Sequence, residues 1–344
     1  MLKIDFYESA EGETIIVTFP DGGLGVIDAH PASVPGRPTI EDLVRGKHVH
    51  FVCLTHPHAD HGMDLAAVFT AAGSVSSYWH TVSNVAAVAF AVTEQRKFPS
   101  RFSPLIDELR AGWARFLLEL YRQALEREDQ APGFIKTLNS TRQPITISGV
   151  ELSFFGPEEA EQNSYVTLYR DLMEGKHRNK PDANLLSAVI ALRYGASVIL
   201  LGADSLKKTW RTVVAEFANR GLPKAAILKV PHHGAENAYS RARGYSYLDV
   251  CRPPRECNGI LFAGDTKHPH PDVFAAIKPK LNLMCLTNGL KSPASGVTNP
   301  LKLEIRGAYA AGSPIVCNSH VGFQLDNAGL VQQTAGTQCA FCTC

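Results

Sequence analysis

Charge of one sign is what this 344-residue sequence most clearly lacks: 34 Lys and Arg stand against 33 Asp and Glu, for a net charge of +1. With no long-range field, non-specific capture of nucleic acid or of an anionic membrane loses its usual driving force, although a local basic groove stays open. No apolar run approaches ~20 residues, so no membrane-spanning helix is expected. No N-terminal stretch has the charged, apolar and small-residue layout of a signal peptide. Internal repeats and low-complexity segments are missing too, which removes solenoids and linker-rich scaffolds. A GxSxG-type elbow that would expose a serine nucleophile is not found. These absences leave a cytoplasmic enzyme without membrane contact as the expectation.

What is present begins with an ordinary share of apolar residues, 45% against 19% charged, enough for one large domain or two average ones. Of the cysteines, Cys53 and Cys285 lie in apolar runs, where free thiols act as small core residues. Cys339, Cys342 and Cys344 cluster in CAFCTC. A zinc site with Cys317 and His320 is one reading of that cluster. A tail of reduced thiols is the better one, because structural zinc usually shows two cleaner ligand pairs.

Along the chain, KIDFYE and ETIIVTF read as strands, PDGG as a turn, and LGVIDAH as a third strand ending at Asp28. The apolar run HVHFVCL follows as a buried strand. Residues from about 85 to 135 turn helical. Leu105, Leu109, Trp113, Phe116, Leu117, Leu120 and Leu125 recur there at helical spacing after a Ser103-Pro104 start. This block reads as an insertion between strand-rich stretches, either packed on a sheet or acting as a lid. Strands resume at ITISGVELSFFGP, LLSAVIALRYG, SVILLGAD, AAILKVPHHGA, GILFAGD and LMCLTNG, with helices at LKKTWRTVVAEFANRG and PDVFAAIKPKL. A C-terminal extension of about 291–344 carries strand patterns at LKLEIRG and HVGFQL. The fold class is α/β, with ligand-type residues falling repeatedly just after strands.

The densest such cluster is CLTHPHADHGMD, which places three histidines and two aspartates behind HVHFVCL. A lone histidine is usually a surface or core residue, but the complete H-x-H-x-D-H pattern is specific. Residues i and i+2 of an extended loop point the same way, so His56 and His58 can grip one metal. Asp60 and His61 then turn toward a neighbouring position, and Gly62 allows a tight backbone before the helix MDLAAVFTAA. Imidazole with carboxylate suits zinc, manganese or iron better than calcium or magnesium. Two further strand ends offer Asp204 and the pair His232-His233. Alone, Asp204 would read as a helix N-cap. In this order along the chain, the group reads as a two-metal site bridged by a carboxylate.

The order Asp28, HPHADH, Asp204 and HHG resembles the metallo-β-lactamase fold superfamily. More narrowly, the chain is similar to the hydrolase domain of the bacterial competence DNA-uptake channel and its soluble relatives. IDFYESAEGETIIVTFPDG with VIDAH, ANLLSAVIALRYG with LLGADS, LKVPHHGAENAYS, and KHPHPDVFAAI with TNG carry that likeness. The resemblance spans roughly residues 1–290 apart from the helical insertion and implies an αββα sandwich, so residues 1–344 read as a single such domain with the insertion and the C-terminal extension. It also implies metal-dependent hydrolysis with two divalent ions, zinc or manganese. His56 and His58 would bind the first metal, and Asp60, His61 and His233 the second. Asp204 would bridge them, and Asp28 would orient a ligand from behind. His233 is preferred over its neighbour because it immediately precedes the glycine. His232 and His268 would then face the substrate. Many superfamily members carry another histidine between the first motif and Asp204. Here PDANLLS puts Asn184 nearest that place, with His177 as a fallback, which favours a weakly held first metal or manganese.

A water activated between two ions ~3.5–4 Å apart would be the nucleophile, oriented by Asp60, with His232 and His268 stabilising charge on the substrate oxygens. The leading expectation is a phosphodiesterase or nuclease acting on nucleic acid or a small phosphodiester. Hydrolysis of a small ester, thioester or lactam is the alternative on the same centre. A metal-binding scaffold, homo-oligomeric or acting on a protein partner through the insertion, belongs to another class. Lys176, Arg178 and Lys180, or Lys207, Lys208 and Arg211, could line a nucleic-acid track. Such charge runs are more often solvated faces. His270, His80 and the Trp79-His80 pair read as turn or packing residues.

Overall fold

The computed structural model describes residues 1–9, 12–31, 37–81, 113–173, 176, 182–262, 268–286 and 320–335. Its strands form two sheets. The first runs β16-β15-β1-β2-β3-β4-β6-β7, with β5 beside β4; here β5 is Ser74–Val75, β7 Ile135–Thr137 and β16 Val331–Ala335. The members that matter below are β1 (Leu2–Ser9), β2 (Gly12–Thr18), β3 (Leu24–Ile27), β4 (His48–Cys53), β6 (Tyr78–His80) and β15 (His320–Leu325). The second runs β14-β13-β12-β11-β10-β9-β8, where β8 is Ile145–Ile147, β9 Val150–Phe154, β10 Ile190–Tyr194, β11 Ser197–Leu201, β12 Ile227–Lys229, β13 Asn258–Phe262 and β14 Asn282–Leu286. Each sheet is antiparallel on one side and parallel on the other. The junctions are β3–β4 in the first and β11–β12 in the second.

Both faces of each sheet are covered, which is why strands such as ETIIVTF read as unbroken apolar runs. Ile15, Val17 and Phe19 point into a core shared with Ile199, Leu201, Ile227 and Ile260 of the opposite sheet. Ile16 and Val26 point outward onto a second cluster with Val68, Phe116 and Leu120. On the far side Leu200, Leu228 and Leu261 pack against Trp210, Val213, Phe217 and Phe274. Helices therefore flank two sheets in four layers, the αββα sandwich expected from the resemblance. Among the described residues the α-helices are α1 (Ile40–Val44), α2 (Ala59–Gly62), α3 (Leu65–Ala71), α4 (Trp113–Gln130), α5 (Glu159–Met173), α6 (Lys207–Asn219) and α7 (Pro271–Ile277).

Several expectations change in detail. ITISGVELSFFGP is two strands, broken by a turn in which Ser148 and Gly149 take φ of 47° and 81°. Helix α4 packs on the outer face of the first sheet through Phe116, Leu117, Leu120, Tyr121 and Ala124, as the packing alternative for the insertion has it. Leu125 is among the exposed large hydrophobics and does not belong to that face. Ser103, Pro104, Leu105 and Leu109 lie outside the described residues, as do LKLEIRG and Cys317, Cys339, Cys342 and Cys344. His320 is engaged elsewhere: its Nε2 meets Asp5 Oδ1 at 2.8 Å and its ring stacks on Tyr7. Lys208 pairs with Glu161 at 2.8 Å. Among the described residues no helix is long and apolar enough to cross a membrane.

His80 behaves as packing. It is 1% exposed and stacks on Tyr78 with the rings 5.4 Å apart. Burial pushes its pKa down to about 3, so the folded protein keeps this ring neutral while the unfolded chain protonates it near 6.5. The unfolded state then binds the extra proton between those values, and stability falls as pH drops from about 6.5 toward about 3. His80→Phe is expected to flatten that acid limb in melting temperatures measured across pH.

Candidate metal centre

Parallel strands in both sheets end at one edge of the sandwich, and each end delivers a polar side chain there, as strand C-termini do in open α/β sheets. Asp28 follows β3, the HPHADH loop follows β4, Asp204 follows β11, His232 and His233 follow β12, and His268 lies shortly after β13. The backbone bends hard to present them. Asp28, Ala203, His232 and His233 take φ of 54°, 43°, 47° and 52°, the left-handed region that side chains usually avoid and that tends to mark functional loops.

Asp28 anchors the first motif. Its Oδ1 accepts from Thr55 N at 2.9 Å, and its Oδ2 from Thr55 Oγ1 and His61 Nδ1, each at 2.7 Å. With Nδ1 so engaged, His61 turns Nε2 inward, 3.6 Å from Asp60 Oδ2 and 3.5 Å from Asp204 Oδ1. His233 is set the same way: its Nδ1 meets Phe262 O at 3.2 Å, and its Nε2 lies 3.7 Å from Asp60 Oδ2 and 3.8 Å from Asp204 Oδ2. These separations are long for hydrogen bonds. They suit atoms sharing one ion, because tetrahedral bonds of ~2.0–2.1 Å place ligand atoms roughly 3.3 Å apart. His61 Nε2 and Asp204 Oδ1 are buried and make no hydrogen bond. The residues present therefore fit a metal.

Charge tells the same story. Burial alone would lower the His61 pKa, but the carboxylates of Asp28, Asp60, Asp204 and Glu13 hold it well above the usual imidazole value. Burial would raise Asp204, yet His233 and His61 pull it well below the carboxylate range. Mutually attracting acid and base groups packed this closely are what a cation-binding site looks like before its protons are exchanged.

His56 Nε2 and His58 Nδ1 stand 3.0 Å apart, in reach of one ion, with His56 fully buried and its pKa driven well down by burial and by His61 and His58. Asn184 sits in a short 3₁₀ turn, with its Nδ2 3.4 Å from His232 Nε2. His232 Nε2 is also 3.7 Å from Asp204 Oδ2, so both histidines of the pair reach the Asp204 carboxylate. Of the two, His233 is the one with an ion pair to Asp60. His268 brings its ring to 5.5 Å from that of His232. A cleft of about 370 Å³ opens over this edge, lined by His58, Asp60, Asn184, His232, His233 and His268, together with His30. His270 is no part of it; its Nδ1 caps α7 by accepting from Asp272 N. His177 lies outside the described residues.

Two buried charges escaped the sequence reading. Glu13 belongs to the same cluster, with one ligand-type atom each of Glu13, His61, Asp204 and His233 within 4.8 Å of one another. Lys229 ion-pairs with Glu13 and is fully buried. Strand parity held the signal: Glu13 alternates with Ile15 and Val17, and Lys229 with Ile227, all inward-facing positions. Gly62 was assigned the wrong role. It is helical with no unusual φ, and a Cβ there would lie 2.5 Å from Phe116 of α4. Gly12 is the residue that permits close approach to the loop, since a Cβ on it would lie 2.1 Å from Asp60 O.

No family model matches the chain, and no curated protein matches it. Similar solved structures include a mutant of the CmlA beta-hydroxylase, at 13% identity and TM-score 0.42 over 94% of this chain and 54% of that one. This chain thus spans about half the length of that neighbour. Igni18, a metallo hydrolase from the hyperthermophilic archaeon Ignicoccus hospitalis, is 11% identical with TM-score 0.39, covering 97% of this chain and 100% of its own. Zinc-bound PqqB from Methylobacterium extorquens is 10% identical with TM-score 0.40, covering 86% and 100%. At such scores the likenesses carry no argument about activity. The sandwich rests on its own strand order and layers, and the metal centre on its own distances.

Proposed function

We propose that this chain is a metal-dependent hydrolase of phosphodiesters, acting on nucleic acid or a small phosphodiester with zinc or manganese. The observation that carries this reading is the convergence of His61 Nε2 and His233 Nε2, each 3.5–3.8 Å from carboxylate oxygens of both Asp60 and Asp204. His56 and His58 would hold a first ion and Asp60, His61 and His233 a second, with Asp204 between them and Asp28 fixing His61. A divalent cation bound there supplies Lewis acidity and lowers the pKa of a water.

The protein's own groups do the rest. Asp60, about a third exposed at the cleft, can orient the attacking water. His232 has its pKa lowered chiefly by burial, so it is a neutral donor or acceptor beside Asn184. With His268 it surrounds the cleft with nitrogen donors suited to the oxygens of a phosphoryl group. The competence-hydrolase resemblance favours the same substrate class.

Metal analysis with a substrate panel tests this. Purified or reconstituted protein is expected to carry about one to two transition-metal ions per chain and to cleave single-stranded DNA or a cyclic dinucleotide. Protein without Zn, Mn or Fe after reconstitution would sink the metal reading, and cleavage of a thioester alone would sink the substrate class. Gly12→Ala is expected to weaken divalent binding about 10–100-fold, the scale for disturbing a ligand's support, because the new Cβ must push the Asp60 backbone aside. Competition with a chromophoric chelator measures this.

A further inference from the structure

We infer that Glu13 and Lys229 are a positioning pair, which braces Asp204 for metal from the protein side of the centre. The inference rests on the metal reading above and names what holds that centre in shape. Both charges lie where the two sheets face each other, Glu13 on β2 and Lys229 on β12, each fully buried. Burying a lysine or a glutamate at a core position is costly unless the charge is matched. Here each matches the other, and Lys229 does more. Its Nζ donates to Ala203 O at 2.7 Å and stands 3.7 Å from Asp204 Oδ1. The same Ala203 carbonyl accepts from His232 N at 2.9 Å. One ammonium thus ties the left-handed turn before Asp204 to the loop that carries His232 and His233.

Glu13 could instead be a metal ligand, but its placement argues otherwise. Its Oε2 is 4.0 Å from His61 Nδ1, the nitrogen already donated to Asp28. The inward-facing Nε2 of His61 belongs to Asp60 and Asp204. Glu13 spends its other oxygen on Lys229. Its role is to cancel the lysine charge, which would otherwise repel a dication held by Asp204 across a poorly screened interior.

Three proteins decide this: the parent, Glu13→Gln, and the double variant Glu13→Leu/Lys229→Met. The double variant replaces a buried ion pair with apolar groups, an exchange that often leaves stability intact. Glu13→Gln keeps the shape and leaves the lysine charge unmatched. Co²⁺ is titrated into each against a chromophoric chelator, with its visible spectrum recorded. Both variants are expected to bind Co²⁺ about 10–100-fold more weakly than the parent, with an unchanged ligand-field spectrum because the ligands are the same. Parent-like affinity in either folded variant overturns the pairing role. A changed spectrum in Glu13→Gln overturns it too, by making Glu13 a ligand. A parent that binds no Co²⁺ removes the metal reading itself, which the other outcomes leave standing.

Discussion

Asp204→Ala is expected to abolish hydrolysis and to strip metal from the centre while the sandwich still melts cooperatively. The residue lies beyond β11 at the end of the sheet and is not part of the apolar clusters between or outside the sheets. Its carboxylate stands within 3.5–3.8 Å of His61, His232 and His233, more of the cluster than any other acid reaches. Removing it takes away the group shared by both proposed metal positions and leaves Lys229 paired with Glu13. The loss should exceed the ~10–100-fold typical of deleting an outer partner of a ligand. His58→Ala should act in the same direction through the first position. Turnover, bound metal and melting temperature measured on the same preparations separate the cases. Wild-type rates in either variant would place the chemistry elsewhere.

The second large effect separates the neighbours His232 and His233. His233→Ala is expected to lose metal, because His233 Nε2 faces both Asp60 and Asp204 while Nδ1 is committed to Phe262 O. His232→Ala is expected to keep metal and lose about 10²–10³ in kcat on a phosphodiester, the usual cost of one transition-state donor. The risk to this assignment is visible in the structure, since His232 Nε2 also comes within 3.7 Å of Asp204. Equal metal loss in the two variants would make His232 a ligand, filling the place that superfamily members give to an earlier histidine.

Much of this centre could be read from the sequence because its signals are local. HPHADH needs only its own spacing, and Asp204 and His233 announce themselves as polar residues ending apolar strands. Glu13 and Lys229 were harder, since a single charge in an apolar run has two possible faces. Only pairing the two strands across the sandwich shows that both faces are dry. Helix α5 was missed for a related reason. Its buried anchor includes Gln162, whose amide donates to Thr81 O and Leu138 O, and a polar residue does not mark an apolar stripe. Leu125 shows the converse, an apolar residue at plausible spacing that faces water.

The pairing of Leu2 in β1 with Leu325 in β15 has a consequence for synthesis. A ribosome releases the first strand long before the strand that covers its edge exists, so the first sheet must wait for late sequence. The ligands are split by the same delay. Asp28 and His61 can find each other early, but Asp204 and His233 arrive only after more than half the chain has been made. Until then a nascent chain offers a cation only half of its cage, and early capture would hold the ion loosely enough to be lost or exchanged. Contacts this far apart in sequence also make for slow assembly. Chain topology therefore completes this ligand set late, close to the closing of the two sheets.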